Sequence, residues 1–140
     1  MDQCVKVDSS AFVADPKLLE ALELRATQFV CEEDRELFRQ GETPSGLYIF
    51  HKGDAFLTMK SEKGEVVLCI QPTEGSLLGL PALVGNEPYS LTAKVTKGSE
   101  LGFVTGEDFN GLMQTDATVP FRVLNVLAAE VRAARQALLS

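Results

Sequence analysis

The sequence predicts a mainly β fold: a double-stranded β-helix (jelly-roll) barrel with an N-terminal helix before it and a long C-terminal helix after it. Three observations carry that expectation. Between Thr27 and Val104 the chain breaks into short runs, many rich in β-branched and aromatic residues, each closed by Gly, Pro, Asp or Asn. None of the intervals between them is long enough for a crossover helix, which argues against a parallel sheet and favours a barrel of short strands. Apolar residues recur at helical spacing before this region and after it.

Taken in order, the first element starts at Asp15-Pro16, because Asp accepts from free backbone donors and Pro is tolerated at the first helical position. Leu18, Leu19 and Leu22 give that helix one apolar face. Strands are expected over Thr27–Cys31, Arg35–Phe38, Gly46–His51, Ala55–Lys60, Glu65–Gln71, Ser90–Thr96 and Glu100–Val104. A short helix is expected over Asp108–Met113, with Thr105 three residues ahead of Asp108 in a capping-box-like start. A last helix runs from about Pro120 to Leu139. The organisation is an N-terminal arm over residues 1–14, one β-roll domain over 15–118 without internal repeats, and a C-terminal helix over 119–140. The 140 residues fit a single core and leave no room for a second.

Composition narrows the classes of function. Hydrophobic residues make up 45% of the chain, enough for independent folding, and the formal charge is −7. Nucleic-acid binding rests on clustered Lys and Arg, so direct binding to nucleic acid by this chain is not expected. No run approaches a bilayer span, and the N-terminal Met-Asp-Gln-Cys-Val-Lys lacks a basic lead followed by an apolar stretch. The expectation is a cytoplasmic protein without membrane association. Cys4, Cys31 and Cys69 are odd in number and widely separated, which reads as buried or incidental thiols, neither a disulfide framework nor a cluster-binding spacing.

Catalysis finds little support. His51 is the sole histidine, so a cupin-type metal site of several histidines cannot be assembled. No Gly-x-Ser-x-Gly or phosphate-loop motif occurs, and the acidic run Glu32-Glu33-Asp34 lies in a turn where carboxylates are usually solvated. No catalytic residue and no metal ligand is assigned, and an enzyme is not expected.

The most informative stretch is Leu78-Gly79-Leu80-Pro81-Ala82-Leu83, a short loop, and Pro88-Tyr89-Ser90-Leu91-Thr92, continuing to Val95. Upstream lies Leu37-Phe38-x-x-Gly41-x-x-Pro44-x-Gly46-Leu47-Tyr48-Ile49-x-x-Lys52-Gly53-x-Ala55, two glycine turns with a strand between them. The two blocks, in this order and at this separation, resemble the cyclic-nucleotide-binding domain family, in its catabolite-activator and fumarate-and-nitrate-reductase-regulator branch. That family's phosphate-binding cassette reads Phe-Gly-Glu-x-Ala-Leu, a short loop, then Pro-Arg-Ser-Ala-Thr-Val. Gly79, Ala82, Leu83, Pro88, Ser90, Thr92 and Val95 fall in register, with one neighbour's slack at Thr92 and Val95. The resemblance covers roughly residues 15 to 140.

The resemblance implies a bacterial transcription regulator's sensor domain whose effector would sit against Leu78, Gly79, Leu80, Ala82, Tyr89, Ser90 and Thr92. In the family the Glu takes the ribose 2′-hydroxyl and the Arg takes the cyclic phosphate; here those positions hold Leu80 and Tyr89. Losing the guanidinium removes a charge-assisted contact of about 1.5–3 kcal/mol. With the ribose acceptor also gone, the loss reaches about 3–6 kcal/mol, or roughly two to four decades in affinity. No cofactor is expected, and cyclic AMP is not expected to bind in the family's usual mode.

Two alternatives stand beside that reading. Gly79 at a helix start, the hydroxyls of Ser90 and Thr92 and the Tyr89 donor are compatible with a cyclic-nucleotide binder that has an altered site. The other alternative has Leu80 and Tyr89 filling the vacated pocket, as in a ligand-free scaffold or partner-binding module. Cluster-binding members of the branch use closely spaced N-terminal cysteines, and this N-terminus offers only Cys4. Haem would rest on His51 alone, at the end of a strand before Lys52-Gly53-Asp54, so neither group is expected.

In the last helix Leu124, Leu127, Val131, Ala134 and Leu138 alternate spacings of three and four, which aligns them as a narrow seam. Arg122, Glu130, Arg132, Arg135 and Gln136 are read as keeping the other faces wet. The seam packs either on its own barrel or on a second copy. In the resembled family this helix forms a parallel dimer seam, which implies a homodimer. In the transcription-factor branch a helix-turn-helix domain begins just after it; the expectation is a sensor domain of a longer regulator or a stand-alone module signalling through a partner. An unidentified small molecule or protein at the cassette would shift the packing of residues 120–139 and so the dimer geometry.

Overall fold

Two sheets enclose the core of the protein in a computed structural model that describes residues 4–139. The strands are β1 (Val5–Lys6), β2 (Thr27–Val30), β3 (Arg35–Phe38), β4 (Gly46–Lys52), β5 (Ala55–Lys60), β6 (Val66–Ile70), β7 (Leu77–Leu78), β8 (Thr92–Val95) and β9 (Glu100–Thr105). One sheet has the order β1-β6-β5-β8-β3 and the other β2-β9-β4-β7. The helices are α1 (Pro16–Glu23), α2 (Leu80–Gly85), α3 (Gly106–Thr115) and α4 (Val119–Leu139). This is the expected jelly-roll with its flanking helices. The seven strands read from the sequence are all present, with ends displaced by a residue or two. The two-residue β1 and β7 are additions too short for a periodic signal.

The alternation of side chains along β4 explains how the parts fit. Tyr48 and Phe50 point between the sheets, where they join Phe38, Leu57, Ile70 and Leu101. Leu47 and Ile49 point to the opposite face and meet Leu18, Leu22, Phe109 and Val123 from the helices. Both faces of β4 are therefore buried, which is why its sequence is an unbroken apolar run.

Caps fix the helices as the sequence implied. The Asp15 carboxylate accepts from the amides of Lys17 and Leu18 at 3.0 Å each, and Pro16 occupies the first turn. Arg122 Nη1 reaches the same carboxylate at 3.0 Å, tying α4 to the start of α1. The Thr105 hydroxyl accepts from the Asp108 amide at 3.1 Å, so α3 begins two residues earlier than expected.

Residues 4–14, read from the sequence as part of an arm, pack into this unit: Val7, Phe12 and Ala14 are buried, and the 3-10 turn Ser9–Phe12 lies against α4. The cysteine expectation is corrected here. Cys4 and Cys69 form a disulfide, with Cα atoms 6.0 Å apart, and only Cys31 is a free thiol. The cause is sheet register: β1 runs parallel to β6 with Lys6 opposite Cys69, which brings together residues 65 apart in the chain. Sequence spacing carries no trace of such a pairing. Reduction is expected to lower the stability by roughly 2–3 kcal/mol, since the bridge closes a long loop of the unfolded chain. Thermal unfolding with and without dithiothreitol checks this; a Cys69→Ser variant that unfolds like the oxidised parent would refute it.

Candidate functional site

The cassette sits where β7 turns into α2. Gly79 makes that turn with φ +92°, a conformation that side chains other than glycine rarely adopt. A Cβ there would also come within 2.9 Å of Cε1 of Tyr89. The glycine therefore serves both the backbone and the close approach of the tyrosine.

Tyr89 occupies the position where the family places its arginine, and it is fixed from several sides. Its hydroxyl donates to the Gly46 carbonyl at 2.7 Å, and its ring stacks on Phe38 with centroids 3.9 Å apart and planes at 14°. Its amide donates to the Glu42 carbonyl at 2.9 Å, and its own carbonyl accepts from Gly41 at 2.8 Å. The one donor of the Tyr89 side chain is spent on the backbone.

The remaining cassette residues divide. Leu78, Gly79, Ala82, Tyr89 and Ser90 line one cavity of about 200 Å³. Leu80 does not: it is fully buried on the other side, in the cluster that holds Leu47, Ile49 and Phe109. Thr92 is also off the lining, and its hydroxyl accepts from the Gln40 amide at 3.0 Å. Pro81, in the first turn of α2, removes one of the few free amides at that end.

α4 forms the far wall through Glu130, Val131 and Ala134. The expectation that Glu130 keeps a wet face is overturned. Its Oε2 is buried and has no hydrogen-bond partner among the described residues, and burial pushes its carboxyl up to about 8. A second stripe with the same spacing, Val119, Val123, Val126, Glu130, Ala133 and Ala137, is the face that α4 turns to the barrel. Glu130 is the one charged residue on it, and that mismatch was the signal available in the sequence.

The seam residues lie beside that face. Leu124, Val131 and Leu138 are 60%, 57% and 68% exposed, and Phe121 is 70% exposed next to them. Leu127 packs partly against the helix-side core, and Ala134 is half-buried at the cavity. The stripe is thus divided: Leu124, Val131 and Leu138 are exposed, while Leu127 and Ala134 also contribute to packing against the chain's own core and cavity.

Among the described residues no Lys or Arg lines the cavity, and Glu130 is the one carboxyl there. An anion entering it would exchange its hydration for walls that are mostly apolar and carry no cation. His51 lies elsewhere, with Nε2 3.0 Å from both Glu23 Oε1 and Gln28 Oε1. Among the described residues no group of three or more His, Cys, Asp or Glu is placed to hold a metal, and no helix is long and apolar enough to cross a membrane.

Comparison with known proteins agrees with the fold. The model of the cyclic nucleotide-binding domain family matches residues 28–116. A search of curated proteins found no match. Among solved structures, the catabolite activator protein of Thermus thermophilus superposes with a TM-score of 0.67 at 22% identity, covering 89% of this chain and 57% of that one. The sensor domain of the transcriptional regulator DNR from Pseudomonas aeruginosa gives 0.65 at 17%, covering 87% and 82%. The regulatory domain of Toxoplasma gondii PKA, crystallised with cAMP, gives 0.65 at 18%, covering 84% and 43%. The chain spans little more than half of the Thermus protein. A jelly-roll with the glycine turns in place and a family match over most of its strands makes this chain a member of the cyclic nucleotide-binding domain family.

Proposed function

We propose that this chain is a sensory module of a larger regulatory system that has abandoned the usual cyclic-phosphate mode. It reads the state of its cassette cavity through α4, which pairs with α4 of a second copy. One observation supports this above the others. Val131 both lines the cavity and belongs to the exposed seam, so anything that changes the cavity wall acts directly on the pairing surface. A ligand that favours one packing of α4 shifts the population of dimer arrangements by its differential affinity for them.

Two measurements test the reading. In calorimetric titration, cyclic AMP and cyclic GMP are expected to give no micromolar binding; micromolar binding that disappears in Ser90→Ala would favour the altered nucleotide site instead. In sedimentation, the parent is expected to be dimeric and Leu124→Asp monomeric. Leu124 is the right position because it is exposed, so the change leaves the monomer's core intact, whereas Leu127 packs partly inside. A variant as dimeric as the parent would remove the seam from the mechanism.

A further inference from the structure

We propose that the cavity between the cassette and α4 is a binding site for a small uncharged molecule of about one ring in size that carries a hydroxyl group for Glu130. This rests on the sensory reading above and names the chemistry of its effector.

Size sets the first limit. A volume of about 200 Å³ is comparable to that of an apolar cavity of about 150 Å³ known to accept benzene, which fits a ligand of about one ring. Polarity sets the second. The walls are aliphatic and aromatic, with Phe12, Phe38, Leu57 and Ile70 facing the α4 side chains, so entry of a charged ligand would forfeit its hydration with little in return.

The third limit is Glu130. A buried carboxyl oxygen with no partner among the described residues is an unmet demand on whatever enters. With burial holding it protonated at neutral pH, the group offers one donor and one acceptor at the same point. A hydroxyl satisfies both, an aromatic carboxylate can only accept and must give up its hydration to enter, and a plain hydrocarbon leaves both unsatisfied. Pro81, Ser90 and Val131 line the cavity and are themselves exposed, so it opens to solvent on their side.

The test is a titration of the full chain with phenol, benzyl alcohol, toluene, benzoate and benzylamine, followed by methyl NMR of the leucines and valines. Phenol and benzyl alcohol are expected to shift Leu57, Leu68, Leu78 and Val131 with about millimolar affinity, the range that so few atoms permit. Benzoate and benzylamine are expected to bind at least about tenfold more weakly, the penalty of burying an unneeded charge. Glu130→Leu should weaken phenol about tenfold while sparing toluene, and Glu130→Gln should restore phenol. Tighter binding of either charged probe, an unchanged phenol affinity in Glu130→Leu, or no shift at saturating phenol would each overturn the proposal. Sedimentation of the phenol-saturated protein separates the two readings: binding without any change in the dimer would leave the site standing and remove the sensory mechanism.

Discussion

Gly46→Ala is expected to destabilise the protein by about 3 kcal/mol, the upper end of what overpacking a well-fitted core costs. A Cβ at Gly46 would fall on the carbonyl oxygen of Val104 and within 2.7 Å of Cε1 and Cζ of Phe103. That carbonyl cannot retreat freely, because β9 is held against β4 from Gly46–Thr105 onward and against β2 on its other edge. The damage would reach the cassette, since the Gly46 carbonyl is the acceptor that anchors the Tyr89 hydroxyl. Gly41→Ala supplies the contrast. There a Cβ would meet no heavy atom within 4 Å, and only the backbone at φ +93° resists, so a cost of about 1 kcal/mol is expected. Urea denaturation of both variants reads the difference as a shift in midpoint at constant slope. Equal costs for the two would mean that β9 yields easily and that the close approach is not what selects glycine at position 46.

Much of this fold was legible because its signals are local. The Asp15-Pro16 and Thr105 starts announce helices through capping chemistry, and turn residues bracket the strands. What sequence periodicity could not reach was pairing across the sheet. Cys4 and Cys69 meet only because β1 runs beside β6, a register no residue in either strand specifies by its type. The site divided along the same line. The missing Glu and Arg were readable as Leu80 and Tyr89, but their fates differ, and the difference lies in which face of a turn each one occupies. Tyr89 turns into the barrel and stacks on Phe38, while Leu80 begins α2 and points to the helices.

α4 carries the sharpest case. Two apolar stripes at heptad-like spacing lie side by side on it, and the leucine pattern of one is cleaner than that of the stripe that holds Glu130. The buried stripe is the one built largely of valine and alanine, and it packs against the Ser9–Phe12 turn, α1 and α3 as well as β1. On the neighbouring stripe Leu124 and Leu138 stand in solvent, where a second helix would cover them, while Leu127 packs partly against the core.

Between pH 5 and pH 9 the parent protein is expected to lose roughly 3 kcal/mol of stability that Glu130→Gln keeps. The sign follows from the direction of the shift. Burial raises the Glu130 carboxyl from its ordinary 4.5 to about 8, so the folded state holds a proton that the unfolded chain releases. The stabilisation from that proton is fully present below the unfolded value and is lost as pH rises through the folded one. A shift of this size corresponds to several kcal/mol at ~1.4 kcal/mol per unit, discounted here because the side chain retains some contact with solvent at the cavity mouth. The two aspartates with altered titration lie outside the window: Asp8 and Asp116 are lowered by hydrogen bonds from Ser10 and Thr118, so their contributions fade only in acid. Urea titrations of both proteins across the range isolate Glu130 as the difference between the curves. Parallel curves would mean that the carboxyl reaches water or a partner in solution, and a wall of α4 that opens so readily could not hold a neutral ligand. Divergent curves would show that α4 keeps its acid buried against the cassette at neutral pH, which is the condition under which occupancy of the cavity can be felt at Val131.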